Sequence, residues 1–88
     1  MEESDGYEID GQPVTGYFKR NVIYKRRYLR FEWCLEAIRN PVRTETQHDD
    51  GRIRHWTWVP ELHRYLRVVT LADGRTIHNA FPDRRFQP

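Results

Sequence analysis

The feature that most restricts the fold is a change of hydrophobic period at Asn40-Pro41. Before it, Phe31, Cys34, Leu35 and Ile38 fall at i, i+3, i+4 and i+7, one face of a helix, with Glu32 and Glu36 opposite. A residue that precedes proline is pushed out of the helical region, so the helix stops there. Beyond it the period becomes two: Val42, Thr44 and Thr46 oppose Arg43, Glu45 and Gln47. Asp49-Asp50-Gly51 supplies hairpin chemistry, and a second strand follows over residues 52–59. Residues 60–63 read as a loop, residues 65–71 as a third strand, and Asp73-Gly74 turns the chain into a last strand over residues 76–81, closed by Pro82. Helix then strands, joined by short connections, predict an α+β fold: an N-terminal helix or helices packed on a four-stranded antiparallel meander.

The chain has 88 residues, which leaves room for one core and one domain. Aromatic residues make up 14% of it, including three Trp, five Tyr and four Phe, so the core is small and its side chains large. The expected division is an acidic, flexible or loosely docked arm over residues 1–16, rich in Gly and acids, and an α+β domain over residues 17–88. Between Tyr17 and Tyr28 aromatic, aliphatic and basic residues alternate without a decisive period, as a short helix or an irregular basic segment. No run is apolar and long enough to span a bilayer, and the first ten residues are acidic where a secretory leader is basic and then apolar. A cytoplasmic location and no membrane partner are expected. The lone Cys34 lies on the apolar helix face and reads as a small core residue in a reducing compartment.

The net charge of +2 conceals an asymmetry. Residues 1–10 hold five acids and no Lys or Arg, so the remainder stands at +7, and thirteen of the fifteen basic residues are Arg. Arginine suits bidentate phosphate contacts and stacking on bases. His48, His55, His63 and His78 lack the spacing of a zinc site. No Gly-rich phosphate loop, nucleophile elbow or HExxH motif is present, and neither a metal nor a cofactor is expected. The remaining equipment is Arg, Lys, His, Tyr and Asn, which matches phosphate binding and metal-free proton transfer at a ribose: a base for the 2′-OH, cations for the charged transition state and an acid for the leaving oxygen. Catalytic candidates are Lys25, His55, Arg67, His78 and Asn79; RNA-binding candidates are Arg26, Arg27, Arg54 and Tyr65. Arg54 and Arg67 read equally as solvated strand positions, and Asn79 as a buried amide satisfied by backbone.

Register decides which of these meet. A two-residue Asp73-Gly74 loop pairs Leu66 with Phe81 and Val68 with Asn79, and groups Arg67 with His78. A three-residue loop from Ala72 to Gly74 sets Arg67 opposite Asn79 and Tyr65 with Phe81. Trp56 and Trp58 share one strand face and Trp33 lies in the helix; an exposed Trp could stack on bases, while at least two of the three are expected in the core.

Several stretches together resemble a known family: Leu35-Glu36-Ala37-Ile38-Arg39-Asn40-Pro41-Val42-Arg43, Asp50-Gly51-Arg52-Ile53-Arg54-His55-Trp56, Arg64-Tyr65-Leu66-Arg67-Val68-Val69 and Asn79-Ala80-Phe81-Pro82-Asp83-Arg84. Over residues 18–86 the chain is similar to small bacterial proteins related to the RelE and BrnT ribonuclease toxins, in the barnase/EndoU/colicin/RelE superfamily. The resemblance implies N-terminal helices on a four-stranded antiparallel sheet and a toxin-like, metal-independent endoribonuclease acting on ribosome-associated mRNA or on tRNA, held inactive by an antitoxin. It places the family's basic or His site of the first helix within residues 21–26, its strand arginine on Arg67 and its terminal polar residue on Asn79. Relatives commonly carry a His where Asn21 aligns, and an amide is no general base at neutral pH. The resemblance then implies a weakened or inactive member, in which Lys25, His55 or His78 takes over proton transfer. The alternative is a non-catalytic RNA- or protein-binding module of the same fold, and a further option has the acidic arm competing for the basic face.

Overall fold

Asp10 and Gly11 both take positive φ, 49° and 81°, the backbone of a two-residue type I′ hairpin turn. They join strands β1 (Glu8–Ile9) and β2 (Gln12–Pro13), which pair antiparallel in a computed structural model that describes residues 6–88. A π-type helical turn (Phe18–Ile23), helix α1 (Phe31–Arg39) and strands β3 (Arg43–Thr46), β4 (Ile53–Val59), β5 (Arg64–Thr70) and β6 (Ile77–Asp83) come after them. The last four form one antiparallel sheet in sequence order.

The expected N-terminal helix or helices are thereby corrected. A β-hairpin comes first, the one regular α-helix among the described residues lies mid-chain, and strands dominate. The physical reason is local. Asp10-Gly11 is as good a hairpin turn as Asp73-Gly74, and the hairpin, too short to hold itself, is anchored by Val14 and Thr15 immediately after it. Val14 is fully buried and bridges Ile77 in parallel, while Thr15 N–H donates to Ile77 O at 2.9 Å. Thr15 Oγ accepts the Phe18 N–H at 3.1 Å, starting the π-type turn. Of the acidic arm expected over residues 1–16, Glu2, Glu3 and Asp5 lie outside the described residues; Val14 and Thr15 belong to the same core as the rest.

Among the described residues the helical elements cover one face of the large sheet. Phe18, Val22 and Leu29 join Cys34 and Ala37 of α1 over Val59, Leu66, Val68, Ile77 and Ala80. Helix α1 carries Glu32 in its first turn and Arg39 in its last, the charges its dipole favours at those ends. Because α1 packs on β4 and β5, strand β3 overhangs it, and all four of its residues are exposed. The opposite face meets no helix among the described residues. Pro82, expected to end the last strand, sits within β6, at an edge where a missing N–H is tolerated.

Candidate functional site

Direct cross-strand pairs share a face, so the register gives the composition of the uncovered face. The rows are Arg43–Trp56–Arg67–Phe81, Glu45–Arg54–Val69–Asn79 and Trp58–Tyr65–Asp83. Neither register expected at the Asp73-Gly74 turn occurs: Arg67 stands opposite Phe81, and neither His78 nor Asn79 is its cross-strand partner. The turn is held longer by Asp73, whose carboxylate accepts Arg75 N–H, Thr76 N–H and Thr76 Oγ–H at 2.9, 2.9 and 2.6 Å, with Gly74 at φ 70°. Burial, the largest influence on the Asp73 carboxyl, is outweighed by these bonds and the Arg75 charge, and the group titrates below the usual carboxylate range. A bulge then shifts the ladder between Val69 and Thr70.

Asp83 is the centre of the open face. Its Oδ2 accepts Trp56 Nε1 at 2.9 Å and Arg67 Nε and Nη2 at 3.1 and 2.9 Å, and Oδ1 accepts Arg85 N–H at 3.1 Å. Burial opposes ionisation most strongly, but the bonds from Trp56 and Arg67, the Arg67 charge and the Arg85 N–H together hold the carboxyl below its ordinary value. Thus anchored, the Arg67 guanidinium lies 5.6 Å from the Trp56 ring centroid and 5.0 Å from that of Phe81. Phe86, from the tail beyond β6, stacks on Trp56 with centroids 4.5 Å apart and 14° between planes, and Arg43 lies 5.7 Å from the Phe86 centroid. Trp56 is consequently only 3% exposed, although it lies on the face opposite α1. Phe86 also meets Tyr65 edge-on at 5.0 Å, and Tyr65 meets Trp58 at 5.1 Å. Trp58 ends this aromatic row and is 44% exposed. Two shallow hollows flank Phe86, one of about 320 Å³ between Arg43, Arg67 and Arg85, the other of about 260 Å³ between Trp58, Arg64, Tyr65 and Arg84.

The structure disperses the sequence candidates. His55 faces the covered side and is buried; Nε2 lies 3.0 Å from Thr70 Oγ, Nδ1 has no hydrogen-bond partner among the described residues, and burial lowers its pKa, favouring the neutral ring. His78 lies 3.0 Å from Thr15 Oγ through Nδ1, with its ring 5.0 Å from Tyr17. Arg26 fastens the π-type turn to β6, donating to Ala80 O at 2.7 Å and to Asn79 Oδ1 at 3.3 Å, while Asn79 Oδ1 also accepts the Ala80 N–H. Lys25 and Arg27 are exposed on the basic segment, and Lys25 borders a hollow with Tyr7, Lys19, Arg20 and Tyr24. Of the sequence candidates Arg54, Tyr65, Arg67 and Asn79 fall on the open face; Arg54 is tied to Gln47 Oε1 at 2.9 Å and Glu45 Oε1 at 3.2 Å, and Asn79 to Arg26. Sequence reasoning missed Asp83, Arg43 and Phe86 as site residues. The period-two continuation Phe81, Asp83 was available, and Pro82 masked it.

Fold and site define a small α+β domain with a one-sided helical layer and an open, aromatic- and arginine-lined sheet face. No protein-family model, curated protein or solved structure matches the chain. Among the described residues no helix is long and apolar enough to cross a membrane.

Proposed function

We propose that the open sheet face binds single-stranded RNA as a non-catalytic module. The observation that carries this is Trp58, a large ring left 44% exposed at the end of the Trp58–Tyr65–Phe86–Trp56 row, with Arg64 and Arg84 beside it. Unstacked bases settle on exposed aromatic rings of a sheet, and arginines follow the backbone phosphates. Duplex offers no free base faces, which favours single strands. A cytoplasmic site of action accompanies an RNA ligand.

The endoribonuclease reading, with its likeness to the RelE and BrnT toxins and its antitoxin partner, requires a base and an acid within reach of one ribose and its phosphate. His55 lies under the sheet, His78 beside Thr15, and Lys25 just past the π-type turn, so none stands by Arg67 on the open face. Binding therefore has the stronger support.

Fluorescence anisotropy of a short labelled RNA, with duplex RNA and single-stranded DNA as comparators, tests the proposal. Trp58→Ala is expected to weaken single-strand binding by a factor of roughly 5 to 150, the equivalent of about 1–3 kcal/mol for one lost stacking contact. Equal affinity of wild type and variant, or a preference for duplex, overturns it. Cleavage of the RNA during the titration reinstates the ribonuclease reading.

A further inference from the structure

The two edges of the large sheet are treated differently. The start of β6 is taken up by residues 14 and 15: Val14 bridges Ile77, and Thr15 N–H donates to Ile77 O. Among the described residues no strand pairs with the outer side of β3; every β3 residue is exposed, and Val42 just before it is 53% exposed. An uncovered edge is a template for another strand.

We propose that this edge is an interface between two copies of the chain, which pair β3 against β3 antiparallel about a two-fold axis through Thr44. Backbone phase and charge both favour this pairing. Gln47 N–H donates to Arg52 O at 2.7 Å, and the register sets Arg43 opposite Trp56 and Glu45 opposite Arg54. In an antiparallel ladder the hydrogen-bonded positions alternate, so Arg43, Glu45 and Gln47 turn their amides towards β4 while Thr44 and Thr46 turn theirs outward. Val42 N–H is taken by Trp56 O at 2.8 Å, leaving its carbonyl as an outer acceptor.

Two symmetric registers satisfy both Thr44 and Thr46 with residues 42–46 of the second copy. One centres on Glu45 and sets each Glu45 against its copy, a like-charge pair that is destabilising. The other centres on Thr44. There Thr44 exchanges both backbone hydrogen bonds with the second copy's Thr44, and Thr46 N–H donates to the second copy's Val42 O. Each Arg43 then stands opposite the second copy's Glu45 in a non-hydrogen-bonded pair, the closer of the two cross-strand spacings. Charge selects this second register. Glu45 already holds Arg54 on its inner side at 3.2 Å, so the interface extends an alternating row of charges, and Val42 comes to rest on the second copy's Thr46.

The pairing joins two four-stranded sheets into one and, because opposed residues share a face, places both open faces on the same side. It does not depend on what that face binds. The contact is small, and dimers of this size are weak.

Sedimentation equilibrium of the full chain without nucleic acid, over a wide concentration range, tests the proposal. A monomer–dimer equilibrium is expected. Thr44→Pro removes an outward N–H and no bond to β4, and should leave only monomer while circular dichroism and melting stay native. R43E or E45R alone should weaken the dimer about tenfold, by putting like charges in both symmetry-related pairs, and R43E combined with E45R should restore it. A chain that stays monomeric at all concentrations, a dimer indifferent to Thr44→Pro, or one tightened by E45Q, as the Glu45-centred register requires, overturns the proposal. The RNA-binding reading is judged separately through Trp58, away from this edge.

Discussion

Replacing Asp83 with Ala removes the acceptor on which the open face is organised, and the structure allows the cost to be worked out. Trp56 Nε1 loses its 2.9 Å bond to Asp83 Oδ2 in a place where the ring is 3% exposed, and an unsatisfied buried donor costs about 1–3 kcal/mol. Arg67 loses two bonds and its counter-charge. Breaking a fully buried ion pair costs about 3–5 kcal/mol, but the Arg67 side chain is 23% exposed and can turn towards water, so its share falls below that range. Together the loss is about 3 kcal/mol, a large part of the roughly 4–13 kcal/mol expected of a domain this size. The melting temperature should fall by about 12–24 °C. Urea denaturation followed by tryptophan fluorescence measures it, and a double-mutant cycle with Arg67→Ala isolates the pair. A loss below about 0.5 kcal/mol, or no coupling in the cycle, refutes the reasoning. The same site sets an acid limit. The folded-state pKa of Asp83 lies below its ordinary value, about 3.9 in an unfolded chain. Its contribution is thus complete above that pH and disappears as pH falls through the folded value. Asp83→Asn should flatten the wild-type loss of stability below about pH 4.

Two further outcomes concern buried groups. His55 favours its neutral form because burial lowers its pKa; the unfolded chain takes up the proton first, so stability falls as pH drops below about 6.5. His55→Leu should remove that fall in denaturation curves taken between about pH 7 and 5 while leaving RNA affinity unchanged, and an unaltered pH profile contradicts the placement. The Cys34 thiol is pushed up to about 12 by burial and by the Glu32 charge. A thiol reagent should label it only as fast as the protein unfolds, and rapid labelling of native protein would show that the helix face is open.

Helix α1 and the strands beyond it were legible because Phe31, Cys34, Leu35 and Ile38 keep one period and the residues after Pro41 keep another, each imposed by a single buried face. The first hairpin was not. Between acidic residues and glycines, Asp10-Gly11 reads as loop composition, and its support comes from Ile77, distant in the chain. Register at the last hairpin was beyond reach for another reason: the side chain of Asp73 lengthens the turn, and a bulge beside Thr70 shifts the pairing again. Each step moves Arg67 against different partners, so the site inherited both errors. Arginine enrichment was visible, and the acceptors that bind those arginines were not. Asp83 lies one residue past Pro82, which by sequence closes the last strand.

That pairing changes what the charge means. The +7 carried outside the acidic first ten residues suggests a strongly basic surface, yet Arg26 is fastened to β6, Arg54 to Glu45 and Gln47, and Arg67 to Asp83. These three rigidify the sheet and its π-type segment, holding aromatic rings in place instead of reaching for phosphate. Around Trp56 the buried Asp83 carboxylate and the stacked Phe86 both discourage a nucleotide. At the other end, Trp58 stands exposed beside Arg64 and Arg84. A strand of RNA on this face should therefore seat its first base at Trp58 and pass its phosphates over the tail arginines. Its salt dependence should reflect the two or so phosphates met there, far fewer than the thirteen arginines of the chain.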